Sequence, residues 1–232
     1  MVVPHARNGR GYAVTSARDD VLSRIRAGNA TGLPGGVAGD AGVPRDYRRF
    51  AEHSAGSAEL VELLADRLID YRATVHVSTT SRVAEAVRSA LAEAMPAGGR
   101  VVVPPRLPDE WLVDVPDVVS DVGLLSAAEL DGFGAVVTAS AAACAETGTI
   151  VLDGGPDQGR RAISLVPDVH VCVVRAEQIV QTVPELLARV NPAGALTLIS
   201  GPSATSDIEL ERVEGVHGPR NLHVILVTDG AS

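Results

Sequence analysis

Ala141-Ala142-Ala143-Cys144-Ala145-Glu146-Thr147-Gly148-Thr149-Ile150-Val151-Leu152-Asp153-Gly154-Gly155-Pro156-Asp157-Gln158-Gly159-Arg160-Arg161 is the stretch on which the architecture turns. A run of small residues leads into a carboxylate. Two threonines flank a glycine, and the apolar run Ile150-Val151-Leu152 reads as a buried strand. A Gly-rich turn follows and ends in adjacent arginines. The segment is reached quickly from one predicted strand and leads directly into another, which predicts an inserted antiparallel hairpin. It also crowds Glu146, Thr147 and Thr149 at the mouth of a strand, where α/β proteins build sites for small polar or anionic ligands. The plainer reading is a tight turn whose hydroxyls satisfy local backbone groups.

Outward from this hairpin the periodicity switches repeatedly between 3.6 and 2. Helical spacing of Leu60, Leu64, Leu68 and Tyr71 predicts a helix over 57–71, and Val83, Val87, Leu91 and Met95 predict another over 81–95. Strands are predicted at 74–78, 101–103, 118–122, 135–138, 150–152, 170–174, 195–200 and 222–227. Short helices are expected near Trp111 and over 126–130. A longer helix over 176–190 carries Ile179, Val183, Leu187 and Val190, and Pro184 either kinks it or restarts it as a second helix. Such alternation, with strands apolar on both faces, predicts a layered α/β domain with a mostly parallel sheet. In such sheets ligands bind outside the carboxyl ends of the strands. Upstream, Ser16-x-x-Asp19 is a capping box opening a helix to about Ala27, with Val21, Leu22 and Ile25 on one face. Residues 28–44 hold six glycines and two prolines, a composition unsuited to helix or strand. The organisation expected is an N-terminal helix and Gly/Pro-rich segment over 1–56, then an α/β domain over 57–232.

Composition narrows the chemistry. Of 232 residues, 46% are hydrophobic and only 3% aromatic, so the core rests on Val, Leu, Ile and Ala. All 20 basic residues are arginine, which removes Schiff-base chemistry and lysine-dependent phosphate loops. A net charge of −9 argues against nucleic acid and anionic membranes as main partners. The two cysteines, Cys144 and Cys172, form no Cys-x-x-Cys and are too few to ligate an iron–sulfur cluster. They are expected to be reduced and buried. Met1–Thr15 lacks a signal-peptide pattern, and no run approaches the ~20 apolar residues of a membrane helix. The expectation is a soluble cytoplasmic protein.

A second polar cluster spans 200–220. A strand ends at Ser200, and the turn Gly201-Pro202 leads toward a short helix near Asp207. Backbone N–H groups at that helix start, with the hydroxyls of Ser203, Thr205 and Ser206, cradle an anion on one reading. On the other, Ser206 or Asp207 simply caps the helix. His217-Gly218-Pro219-Arg220 is a rigid turn carrying an imidazole and a guanidinium. Asp207, Glu209 and His217 match no metal-ligand spacing, and no metal is assigned. The planar guanidinium of Arg161 suits a bidentate carboxylate. The candidate catalytic residues are therefore Glu146 and His217. The candidate ligand-binding residues are Thr147, Gly148, Thr149, Arg161, Gly201, Ser203, Thr205, Asp207 and Arg220.

Ala145–Leu152, Arg161–Pro167, Ser200–Glu209 and Val216–Arg220, with Val43–Tyr47 and Leu107–Leu112, resemble the lactate utilisation protein C family, the LUD-domain proteins, along nearly the whole chain. The resemblance implies a layered α/β/α domain of the glucosamine-6-phosphate isomerase, ribose-5-phosphate isomerase and CoA transferase-like type, with an N-terminal helical extension. It implies an accessory component of L-lactate oxidation to pyruvate, working with two iron–sulfur partner proteins that carry the clusters, and no cofactor in this chain. The missing lysine fits poorly with a sugar-phosphate isomerase, where a lysine commonly helps to hold the phosphate or the open-chain sugar. Two alternatives stay open. One is a CoA-transferase-like acyl-transfer enzyme with Glu146 as nucleophile and the Gly148 N–H among its oxyanion donors. The other is a non-catalytic module that binds a small ligand.

Overall fold

The structure, a computed structural model, describes residues 17–30, 51–95, 98–205, 213–214 and 217–228. The Ser16 half of the predicted capping box, the stretch 31–44, and the helix expected near Asp207 lie outside these residues. Contacts divide the chain into Met1–Tyr47 and Arg48–Ser232. The first unit contains α1 (Ala17–Ala30), in which no residue is buried. This helix runs three residues past its expected end, so residues 28–30 continue it instead of opening the Gly-rich segment.

The second unit runs, in chain order, α2 (Ala58–Asp70), β1 (Thr74–Ser78), α3 (Val83–Ala94), β2 (Val101–Val103), β3 (Val118–Ser120), α4 (Ala127–Asp131), β4 (Ala135–Ala139), β5 (Ala142–Cys144), β6 (Thr149–Leu152), α5 (Arg161–Leu165), β7 (Val169–Arg175), β8 (Ile179–Val180), α6 (Val183–Arg189), β9 (Thr197–Ile199), β10 (Ala204–Thr205), β11 (Val213–Glu214) and β12 (Asn221–Val227). Six strands form a wholly parallel sheet in the order β1-β12-β7-β4-β2-β3. Its register is flush at one end: Asn221 pairs with Val169, Val169 with Ala135, Ala135 with Val101, and Val101 with Val118. The central strands β4, β7 and β12 are buried on both faces, which is why they read as near-continuous apolar runs.

One face of this sheet packs Val137, Val171, Val173 and Ile225 against Val83, Val87 and Leu91 of α3 and against Trp111. The other face packs Cys172, Val174, Val224 and Leu226 against Leu60, Leu64 and Leu68 of α2. The predicted hairpin is present on this second side. Strands β5 and β6 pair antiparallel within a smaller sheet of order β8-β5-β6-β9, and Ile150 and Leu152 of β6 join the α2 core. Leu186 of α6 helps to close the small sheet from its far side. The result is a mixed α/β fold whose larger sheet is parallel. Both cysteines are buried and unpaired, as expected.

The long helix predicted over 176–190 does not form. Its first part becomes a single 3-10 turn and the strand β8, in which Ile179 pairs with Ala143. A new helix then starts at Val183, with Pro184 in its first turn and a reciprocal Thr182–Glu185 cap. Proline lacks the N–H that a helix interior needs, so restarting costs less than kinking. The apolar stripe shifts with it. Val183 and Leu187 are exposed, and Leu186 takes the buried position.

Candidate functional site

A cavity of about 310 Å³ opens at the flush, amino-terminal edge of β7 and β12, and its lining includes Arg161, Ser164, His170, Ser200, Ser203 and His217. The sequence pattern pointed to the carboxyl ends of the strands. At the opposite end, however, β9 and the turn after it line the space together with His170 of β7 and Leu222 of β12. An adjoining cavity of about 250 Å³ shares Arg161, Ser164 and Thr197 and reaches the Gly154–Gly159 turn.

The two adjacent arginines at the start of α5 have separate duties. Arg160 donates to both carboxylate oxygens of buried Asp121, at 2.6 and 3.3 Å, and to the Leu125 carbonyl. Burial pushes the Asp121 carboxyl up, but the bonds from Arg160 and from the Gly123 N–H outweigh it and hold the carboxyl below its ordinary range. Asp121 thus stays ionised and locks Arg160. Arg161 is exposed and lines the cavity, and among the described residues no carboxylate pairs with it.

Two turns build the opposite wall. Gly201 has φ +95°, and a Cβ there would lie 2.7 Å from the Tyr71 carbonyl, so only glycine lets this turn close against the end of α2. Ser203 donates its N–H to the Pro219 carbonyl at 2.8 Å, and its Oγ accepts the His217 N–H at 3.0 Å. These bonds place His217 beside Ser203. The hairpin joins through its hydroxyls: Thr147 Oγ1 lies 2.8 Å from Thr149 Oγ1, which lies 2.8 Å from Ser200 Oγ. Gly148, at φ +59°, lets that turn approach Arg67.

His170 completes the lining and was not singled out from sequence. Its neighbours Val169 and Val171 mark a buried strand, and the one available signal was a polar residue within that strand. Its Nε2 lies 2.8 Å from Thr138 Oγ1, which donates to Cys172 Sγ at 3.7 Å, and that thiol points at the Ala139 carbonyl. Across the 2.8 Å contact between Thr138 Oγ1 and His170 Nε2 the donor is set by the histidine tautomer. Burial lowers the His170 pKa to about 4 and raises that of Cys172 to about 12, so both are neutral near pH 7.

The structure therefore gathers Arg161, Gly201, Ser203 and His217 around one cavity, with Thr147 and Thr149 tied to it through Ser200. It places two other candidates elsewhere. Glu146 is exposed, and its carboxylate accepts from Gln181 Nε2 at 3.0 Å, while Gln181 Oε1 receives the N–H groups of Glu52 and His53. Arg220 grips Asp168 with two bonds, of 2.6 and 2.9 Å. Thr205 lies in β10, which pairs with β11, while Asp207 and Glu209 fall outside the described residues.

A family model for the LUD domain matches residues 127–227, which covers β4 through β12 and every cavity residue named above. Lactate utilization protein C of Deinococcus radiodurans is 52% identical over 175 residues, spanning 73% of this chain and 80% of that protein. Lactate utilization protein C of Geobacillus thermodenitrificans is 31% identical over 176 residues, spanning 66% and 71%. The crystal structure of a DUF162 family protein from Deinococcus radiodurans superposes with a TM-score of 0.62 at 43% identity, covering 73% of this chain and 97% of that one. No described helix is long and apolar enough to cross a membrane. With half of the 175 aligned residues identical in one relative and the site segment inside the matched domain, the chain belongs to the LUD-domain family of lactate utilization protein C.

Proposed function

We propose that this chain serves L-lactate utilisation by holding a small 2-hydroxy or 2-oxo carboxylate in the cavity beside Arg161. Iron–sulfur partner proteins receive the electrons. The observation that carries this reading is the lining itself: a guanidinium that no carboxylate among the described residues pairs with, hydroxyls from Ser164, Ser200 and Ser203, and a neutral imidazole. A guanidinium binds a carboxylate through two parallel bonds, and a neutral imidazole accepts from a hydroxyl. Turning a 2-hydroxy acid into a 2-oxo acid releases two electrons and two protons. Two cysteines cannot build a cluster to take those electrons, and this count agrees with a division of labour with cluster-bearing partners. The parallel sheet with a second sheet stacked on one face is consistent with a glucosamine-6-phosphate isomerase or CoA transferase-like arrangement.

The test is calorimetric titration of the purified chain with L-lactate and with pyruvate. A charge-assisted bidentate contact is worth about 1.5–3 kcal/mol, so Arg161→Ala weakens binding by about 10- to 100-fold. Exposed Arg161 contributes little to packing, so the melting temperature stays within about 2 °C. Equal affinity in the variant and the parent sinks the proposal. In a reconstituted system with its partners, the same variant loses lactate-dependent electron transfer.

A further inference from the structure

At the β1 edge of the large sheet, away from the cavity, His76 and His223 stand on neighbouring parallel strands. Nε2 of His76 is 3.1 Å from Nδ1 of His223. Glu93 of α3 adds a carboxylate, and the three ligand atoms all lie within 4.8 Å of one another. We propose that His76, Glu93 and His223 form a binding site for a divalent transition-metal ion of the zinc class.

The geometry carries this. Two imidazole nitrogens bound side by side to one ion, each at about 2.0–2.1 Å, lie about 3.0–3.4 Å apart. The observed separation falls in that window. The rings are nearly parallel, with an interplanar angle of 14° and centroids 5.4 Å apart. Two nitrogens that close share a proton when no cation lies between them; on metal binding that proton moves to the far nitrogen of its own ring, and both facing lone pairs become free for the ion. The rings then pivot to aim both lone pairs at the ion. The pivot falls to half-buried His76 on the edge strand, because His223 is buried.

The electrostatics agree. Burial lowers the pKa of His223, Glu93 raises it and His76 lowers it, with a net shift downward that leaves a neutral ligand near pH 7. Two imidazoles and one carboxylate suit zinc, cobalt, nickel or copper, whereas magnesium and calcium prefer all-oxygen sets. Three protein ligands leave a fourth position for water, and exposed Glu93 keeps that position open to solvent. The ligands come from β1, β12 and α3, so a bound ion ties the covering helix to the sheet edge.

The experiment is calorimetric titration of the tag-free chain with zinc chloride. One equivalent binds with low-micromolar affinity or tighter. His76→Gln and Glu93→Gln each weaken binding at least tenfold. Saturating zinc raises the melting temperature of the parent by about 5 °C or more and leaves the His76→Gln protein unmoved. Cobalt substitution gives the visible bands of a four-coordinate N/O site. Magnesium produces none of these effects. Because His76 and Glu93 are not fully buried, their variants fold, and the comparison does not depend on replacing His223. Absence of binding, or equal stoichiometry and affinity in the parent and in His76→Gln, overturns the site and leaves a hydrogen-bonded histidine pair.

Discussion

His170 shows what one side chain does to the pH response of the fold. In the folded chain its pKa is about 4, against an ordinary value of 6.5, and the cause is burial. The unfolded chain therefore binds a proton at pH values where the native state refuses one. Stability contributed by the neutral imidazole is complete above pH 6.5 and is lost as the pH falls from about 6.5 toward about 4. A depression of this size corresponds to about 3 kcal/mol across the full window. Urea unfolding at pH 7 and pH 5 measures it. The stability difference between those two pH values should be about 2 kcal/mol smaller in His170→Gln than in the parent, even though the variant is less stable at both. An identical acid slope would mean that His170 is charged or solvated in the native state. The same residue marks a limit of sequence reading. Arg161, Ser203 and His217 are picked out as candidates because they flank Gly- and Pro-rich turns. A lone histidine between valines reads as core, and only the register of β7 against β12 shows that it lies at the mouth of the cavity.

Among the elements, α2 bears the plainest message. Leu60, Leu64 and Leu68 recur every four residues and are fully buried between the two sheets. Leu64→Ala leaves a cavity that neither sheet can collapse into, at a cost of about 2–5 kcal/mol, visible as a lower denaturant midpoint at unchanged slope. A cost below about 1 kcal/mol would place this helix outside the core. Strong apolar patterning is why α2, α3 and the strands β1 to β4, β6 and β7 were readable in the sequence. Residues 176–190 were not, because their apolar spacing suits one helix and tertiary pairing overrides it. Ile179 gains more by joining β8 beside Ala143 than by extending a helix through Pro184. That misreading also hid the surroundings of Glu146. With Gln181 assigned to a helix face, nothing in the sequence indicated that its amide would reach the hairpin and hold the glutamate there.

At the scale of the molecule, the sheet order β1-β12-β7-β4-β2-β3 separates protected strands from marginal ones. Central β7 and β12 have a hydrogen-bonded neighbour on each side and lie beneath apolar layers on both faces. Their amides should exchange with deuterium only through global unfolding, while those of edge strand β3 exchange through smaller openings. Comparable protection across all six strands would contradict this hierarchy. The order has a further consequence for how the protein is made. The strand β12 fits between β1 and β7, yet it follows every other described strand. On the ribosome, β1 and β7 are translated with no neighbour to bridge them, and each presents an open row of backbone donors and acceptors until β12 emerges. A nascent chain in that condition is a client for holding chaperones. Slowing translation over the codons of β12 should lower the soluble yield without touching the stability of the finished protein.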